Sequence, residues 1–157
     1  MKKISIFPMM LLSLVLSFQA WAGEGIRIEN PWIRAAPPSV QAMAAYMGIE
    51  NTGSVPMTLV AVTSPAFLKI ELHETVVVNG MAGMVARKDM VIAPGKRLTL
   101  EPGGHHLMLL TPQKTIREGD MIPLTLAFGD GGKIDIEVPV KMDGASSAGH
   151  ASGHGGH

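Results

Sequence analysis

Apolar and polar residues alternate with a period of two along most of the chain, a pattern typical of β-strands with one buried face. In residues 124–128 (LTLAF) and 134–138 (IDIEV), every second residue is a large apolar one. The glycine-rich segment 129–132 (GDGG) between them predicts a hairpin connection. No segment after the N-terminal apolar stretch shows a convincing helical stripe, so the pattern favours strands throughout.

Further short segments alternate in the same way, and turn-forming sequences such as Asn79-Gly80 separate them. These strand candidates are residues 26–33, 44–50, 58–63, 68–73, 84–88, 97–100 and 106–110. Seven to nine short strands at this spacing predict an all-β domain, either an antiparallel β-sandwich or a closed barrel.

The two ends of the chain depart from this pattern. Residues 1–22 begin with two lysines, continue with an apolar stretch too short to span a bilayer comfortably, and end in the small-x-small sequence Ala20-Trp21-Ala22. They predict a signal peptide cleaved after Ala22. Residues 142–157 consist mainly of Gly, Ala, Ser and His, a composition that predicts a disordered tail. The folded domain is therefore expected to cover residues 23–141.

The composition of the chain excludes several classes of function. The chain has 13 basic and 13 acidic residues, a balance that argues against nucleic-acid binding. It has no Cys, which excludes a disulfide, a thiolate metal ligand, a lipid-anchored cysteine after the signal, and a blue-copper centre. We expect an exported periplasmic protein without a membrane span in its mature form. Of the 12 Met, nine lie after the predicted signal peptide, and Met is both a core filler and a soft metal ligand.

Histidine and methionine occur together within the predicted strands. His106 and Met108 are two residues apart and therefore project from one face of a strand, whereas His105 points the opposite way. His73 lies on the face opposite Leu72, so we expect it at a solvent-facing strand end. Taken singly, Met108 would be interpreted as core packing and His73 as a solvated residue.

The spacing of four of these residues carries a family resemblance. His73, Met84, His106 and Met108 form the pattern H-x10-M-x21-H-x-M. The segments 30–38 (NPWIRAAPP), 44–53 (AAYMGIENTG) and 102–110 (PGGHHLMLL) are similar to the same family. The chain resembles the periplasmic Cu(A) copper chaperones over essentially its whole mature length.

The resemblance implies a cupredoxin-like β-barrel that binds one Cu(I) through His73, Met84, His106 and Met108. It also implies delivery of copper for assembly of cytochrome c oxidase, with the Cu(A) subunit or a thiol-bearing copper chaperone as transient partner. The chemistry of the residues agrees, because thioethers are soft donors that favour Cu(I). Both imidazoles must be neutral to bind, so we expect copper affinity to fall in mild acid.

The tail offers a second candidate site. His150, His154 and His157 lie in a Gly/Ser-rich segment, and imidazole with backbone nitrogen suits Cu(II). The alternative interpretation is a solvated linker whose histidines are incidental.

Three other functions compete with copper delivery. An enzyme is not expected, because we find neither a Ser-His-Asp arrangement nor paired carboxylates, and the four-ligand set has no obvious open position for a substrate. A periplasmic copper storage or resistance protein would use the same ligands. A β-sandwich interaction module would bind no stoichiometric metal.

Overall fold

The computed structural model describes residues 25–142, which form ten β-strands and no helix. The predicted signal peptide and all but the first residue of the predicted tail, including His150, His154 and His157, lie outside this range. None of the described residues belongs to a helix long and apolar enough to cross a membrane. The strands are β1 (Ile26–Arg34), β2 (Ala42–Asn51), β3 (Met57–Thr63), β4 (Phe67–Val78), β5 (Met81–Arg87), β6 (Met90–Ile92), β7 (Arg97–Leu100), β8 (His105–Pro112), β9 (Met121–Phe128) and β10 (Lys133–Lys141).

The strands join into one hydrogen-bonded sheet in the order β5-β4-β8-β7-β2-β1-β10-β9-β3-β6, with an additional pairing between β2 and β8. Most neighbours are antiparallel, but β1 pairs with β10 and β7 with β8 in parallel. The all-β prediction is confirmed, and the two parallel pairings make the sheet mixed. The β1–β10 pairing joins strands distant in sequence, which alternation within each strand does not reveal. The β7–β8 pairing is confined to Leu100 and His105.

The core lies between the two halves of the sheet. Strands β1, β2, β4 and β8 contribute one set of buried residues, and β3, β9 and β10 contribute the other. Fully buried examples are Ile33, Ile49, Leu107, Leu59, Leu126 and Val138. The other face of β2, β4 and β8 points away from this core, and the candidate chemistry lies there.

All nine predicted strands are present, and β6 is the additional one. Its three residues are too short to display alternation. The sequence also underestimated β4 and β5, which form a hairpin closed by the pair Val78 and Met81. Asn79 and Gly80 between them have φ of 52° and 77°, as a two-residue turn of type I′ requires. Three consecutive valines hid the end of β4, because an unbroken apolar run shows no period of two.

One buried polar side chain ties the loops together. Asn51, at the end of β2, is fully buried. Its Nδ2 donates to the carbonyls of Val55 at 2.7 Å and Ile92 at 2.9 Å, and its Oδ1 accepts from the Gly53 amide at 3.0 Å. A buried amide is stable only when its groups are paired in this way. Asn51 therefore holds β6 and the loop before β3 against β2.

Candidate metal centre

The four candidate ligands lie on one face of three neighbouring strands. His73 on β4 is directly opposite His106 on β8, and directly opposite residues of an antiparallel pair share a face. Met108 shares this face because it is two residues from His106. Met84 on β5 is opposite Thr75, which is two residues from His73. The sheet register thus brings all four side chains to the outer face.

The two imidazoles are neighbours, and each donates one hydrogen bond to a nearby oxygen. Their ring centroids are 5.8 Å apart, with 43° between the ring planes. His73 Nε2 donates to Glu71 Oε2 at 2.8 Å, and His106 Nδ1 donates to the Gly104 carbonyl at 3.1 Å. In the neutral rings these bonds leave lone pairs at His73 Nδ1 and His106 Nε2. Metal-ligating histidines use the same arrangement, in which one nitrogen donates to a carboxylate or carbonyl and the other is free for the metal.

His73 Nδ1 is buried and has no hydrogen-bond partner. Buried polar atoms are nearly always paired, so this nitrogen is available to a partner from outside the chain. A cation bound there would satisfy it, and the donors on the same face of the sheet, a second imidazole and two thioethers, suit a soft metal ion. His105 Nδ1, on the other face of β8, is likewise buried without a hydrogen-bond partner.

The expected solvent exposure of His73 is wrong, although its face was correctly predicted. Only 9% of His73 and 5% of His106 are exposed. The sequence placed His73 at the end of a strand, but β4 continues to Val78. His73 therefore lies in the middle of its strand, flanked by β5 and β8, where its cross-strand neighbours Ala86 and His106 shield it.

A depression of about 520 Å³ opens beside this cluster. Met84, His106 and Met108 line it, whereas His73 does not. Ala42 and Ala44 form its wall on β2 together with Met43 and Tyr46, and Ala44 is directly opposite Met108. Because alanine side chains end at Cβ, β2 leaves room for a ligand next to the thioether. Met84 is 61% exposed, so one of the four donors reaches solvent directly.

Glu71 was missed by the sequence analysis, although it lies two residues before His73 and therefore on the same face. The Lys69 ammonium, and after it the hydrogen-bonded His73 ring, hold the pKa of the Glu71 carboxyl below its ordinary value. A carboxylate that stays ionised accepts the hydrogen bond from His73 Nε2 more strongly than a protonated acid does. Glu71 thereby fixes the orientation of the His73 ring.

Two neighbouring residues stay outside the cluster. His105 is opposite Glu74, on the other face of β8 from His106, as strand parity predicts. Met81 is 73% exposed and lies on the opposite face of β5 from Met84. Within residues 25–142, no group of three or more His, Asp or Glu side chains is arranged to hold a metal ion.

Comparisons with known proteins place the chain in a family. The family model described as "Putative lipoprotein LpqE-like" matches residues 26–140. The chain belongs to the LpqE-like family. This LpqE-like chain is 37% identical over 119 residues to the "Putative lipoprotein Lxx21020" of Leifsonia xyli subsp. xyli, an alignment that covers 75% of the chain and 70% of the relative. It is 27% identical over 126 residues to the uncharacterized protein RP573 of Rickettsia prowazekii, covering 78% and 70%.

Solved structures similar to this LpqE-like chain include copper-binding domains. The copper-bound PCuAC domain from PmoF2 matches with a TM-score of 0.64 and 27% identity, covering 76% of the chain and 94% of the domain. The solution structure of CuI-DR1885 from Deinococcus radiodurans matches with a TM-score of 0.63 and 30% identity, covering 76% and 80%. PCuAC copper-binding domains are thus structural homologues of the chain, and the resemblance to Cu(A) copper chaperones is confirmed.

Proposed function

We propose that this protein binds one Cu(I) ion through His73, Met84, His106 and Met108 and carries it to another protein. The observation that carries the proposal is the opposed His73–His106 pair, in which each ring has one nitrogen engaged and the other free. Both thioethers lie on the same face. The PmoF2 domain was solved with copper bound and DR1885 with Cu(I), which supports the same ion for this chain.

The donor set favours monovalent copper. Two neutral imidazoles and two thioethers bring no negative charge, and thioethers are soft ligands that select Cu(I) over Zn(II). Four protein donors occupy the coordination positions of a tetrahedral ion, which leaves none for a substrate. The proposed role is therefore carriage of copper, and an enzyme function is not proposed.

The exposure of Met84 supports release by ligand exchange. Met84 is the most accessible of the four donors, whereas both imidazoles are buried. An incoming ligand that enters the depression meets the Met84 thioether before the histidines. Replacement of this weak, exposed ligand is the natural first step of transfer to a stronger thiolate ligand.

We infer that the acceptor takes part in cytochrome c oxidase assembly, as the Cu(A) subunit or a thiol-bearing copper chaperone. Residues 1–22 are proposed to export the chain to the periplasm, where this transfer would occur, with residues 23–141 as the copper-binding domain.

Copper storage or resistance is the nearest alternative. The two roles differ in copper transfer. A storage protein retains Cu(I) when an apo Cu(A) domain is offered, whereas a carrier gives its Cu(I) up.

Anaerobic Cu(I) titration with X-ray absorption tests the ligand set. The wild type should bind one Cu(I) with both nitrogen and sulfur scattering. Met84→Ala should lose sulfur scattering only, and His106→Ala should lose nitrogen scattering only. His105→Ala is the matched control, because it removes the adjacent imidazole from the opposite face and should change nothing. Unchanged spectra for Met84→Ala and His106→Ala would contradict the proposed site.

The tail histidines His150, His154 and His157 are proposed as a separate Cu(II) site. The described strand that precedes the tail ends at Lys141, which pairs with Arg34 on β1, and Arg34 lines the depression. Truncation after Lys141 should abolish Cu(II) uptake and preserve Cu(I) uptake. Equal Cu(II) stoichiometry in the full and truncated chains would rule the tail out.

A further inference from the structure

Arg34 is held above two aromatic rings at the edge of the depression. Its guanidinium carbon lies 5.7 Å from the centroid of the Trp32 ring and 5.6 Å from that of Tyr46. The two rings are themselves 4.7 Å apart, and their residues are directly opposite one another on β1 and β2. Contact with two ring faces stabilises a guanidinium in one place and leaves its N–H edges free to bind. Arg34 is thus positioned without being neutralised.

No carboxylate within residues 25–142 forms an ion pair with Arg34. The five ion pairs of this part of the chain involve other basic side chains, and Arg34 is exposed. Arg34 is also the one permanently charged residue among the described residues that line the depression. The others are four Ala and three Met, with Tyr46, Thr75, Pro102, Gly103 and His106. The depression therefore has a fixed positive charge on one side.

Three of the four donors of the proposed copper site, Met84, His106 and Met108, line the same depression. All four donors are neutral, so a bound Cu(I) adds a second positive charge to that of Arg34. Lys141 on β10 is exposed and is the register partner of Arg34 on β1, so it adds a third positive charge next to Arg34. A partner of opposite charge is favoured by all three, and complementary charge raises the association rate more than the affinity.

We propose that this depression is a docking surface for a copper-accepting protein whose metal-binding segment carries a carboxylate beside a thiol. The carboxylate accepts hydrogen bonds from the Arg34 guanidinium, whose planar fork matches its geometry. The thiol meanwhile approaches the metal next to Met84. This inference rests on the proposed function, because without Cu(I) at the site there is nothing to transfer.

The transfer is a ligand exchange without a redox change. A sulfur–copper bond to the acceptor forms as the bond to the Met84 thioether breaks, and the remaining donors follow. The acceptor thiol releases its proton to solvent, and copper stays Cu(I) throughout. Arg34 touches neither the metal nor the sulfur, so its role is to position the acceptor.

The test compares two blocked peptides as acceptors, Asp-Cys-Asp and Asn-Cys-Asn, which present the same thiol with and without carboxylates. Transfer from the Cu(I)-loaded full chain is followed by the ultraviolet absorption of the Cu(I)–thiolate product. At low ionic strength the wild type should deliver copper several-fold faster to the acidic peptide. Arg34→Gln should lose this preference and transfer to the neutral peptide at the wild-type rate. Arg117→Gln, which removes an exposed arginine outside the depression, should keep the preference.

Equal preference in wild type and Arg34→Gln, or equal loss in Arg34→Gln and Arg117→Gln, would overturn the proposal. If Arg34→Gln fails to load copper, the salt dependence of the wild type tests the proposal instead. Added salt should slow copper transfer to the acidic peptide and leave transfer to the neutral peptide unchanged. The stoichiometry of Cu(I) is measured first. A wild type that binds no Cu(I) refutes the proposed function, whereas a loaded protein without the charge preference refutes only the docking surface.

Discussion

His73 and His106 face each other across the antiparallel pairing of β4 and β8, with their ring centroids 5.8 Å apart. A slip of one residue in this register would turn His106 toward the core and bring His105 to the outer face. The candidate metal centre therefore depends on the same register that buries Leu72 against Leu107. The strand register that packs the core therefore also assembles the site.

Glu71 is expected to strengthen copper binding by orienting His73. Glu71→Gln weakens the acceptor for His73 Nε2, and loss of such an outer hydrogen bond costs roughly tenfold or more in metal affinity. Competition with a Cu(I) chelator measures the change. Glu74→Gln is the matched control, because Glu74 lies on the other face of β4 and pairs with Arg87. An equal loss in both variants would mean that general charge, not orientation, sets the affinity.

The alanine wall of the depression is expected to control copper release. In Ala44→Leu the larger side chain enters the space beside Met108, because these two residues are directly opposite. The variant should still bind one Cu(I) but transfer it several-fold more slowly to a bulky chelator, since the entry of the incoming ligand is obstructed. Stopped-flow measurement of release gives the rate. Ala61→Leu, at an exposed position on β3, should release copper at the wild-type rate, and equal rates in both variants would refute the obstruction.

Asn51 is expected to be a major contributor to stability. Asn51→Leu removes both hydrogen bonds to the Val55 and Ile92 carbonyls and leaves the Gly53 amide without its acceptor. Leaving buried groups unpaired should lower the free energy of unfolding by about 3 kcal/mol. Urea unfolding followed by circular dichroism measures this loss. Gln113→Ala removes an exposed amide with a single hydrogen bond and should stay within about 0.5 kcal/mol; a similar loss there would contradict the assignment.

In the hairpin of β4 and β5, glycine is expected to be required at Gly80 in the turn but not at Gly83 in β5. A Cβ at Gly80 or at Gly83 would meet no atom within 4 Å, but Gly80 alone has a positive φ, of 77°. Gly80→Ala should therefore cost about 1 kcal/mol through backbone strain, whereas Gly83→Ala should be neutral or slightly stabilising. Amide hydrogen exchange across β5, which carries Met84, measures the local effect. Equal protection in the two variants would show that the turn tolerates a side chain.

Much of the fold could be predicted because alternation is a local property. Strands that bury one face, such as β9, display the period of two in their own residues, and together with the turn sequences this pattern predicted nine of the ten strands. β6 is too short to show a period, and the end of β4 is hidden by consecutive valines. The parallel pairing of β1 with β10 joins the two ends of the domain, and no local pattern records such a contact.

The sequence by itself determined the donor residues, their spacing and the strand face from which each projects. Residue identity and the alternation of side chains along a strand can both be read directly from the sequence. Only the tertiary structure decided which strands are neighbours, and through them three properties of the site. His73 is buried because β5 and β8 flank it. Its ring is oriented by Glu71, and Arg34 lines the same depression as Met84, His106 and Met108. Burial, hydrogen bonding and charge all depend on distances between side chains, and those distances exist only after the sheet has formed.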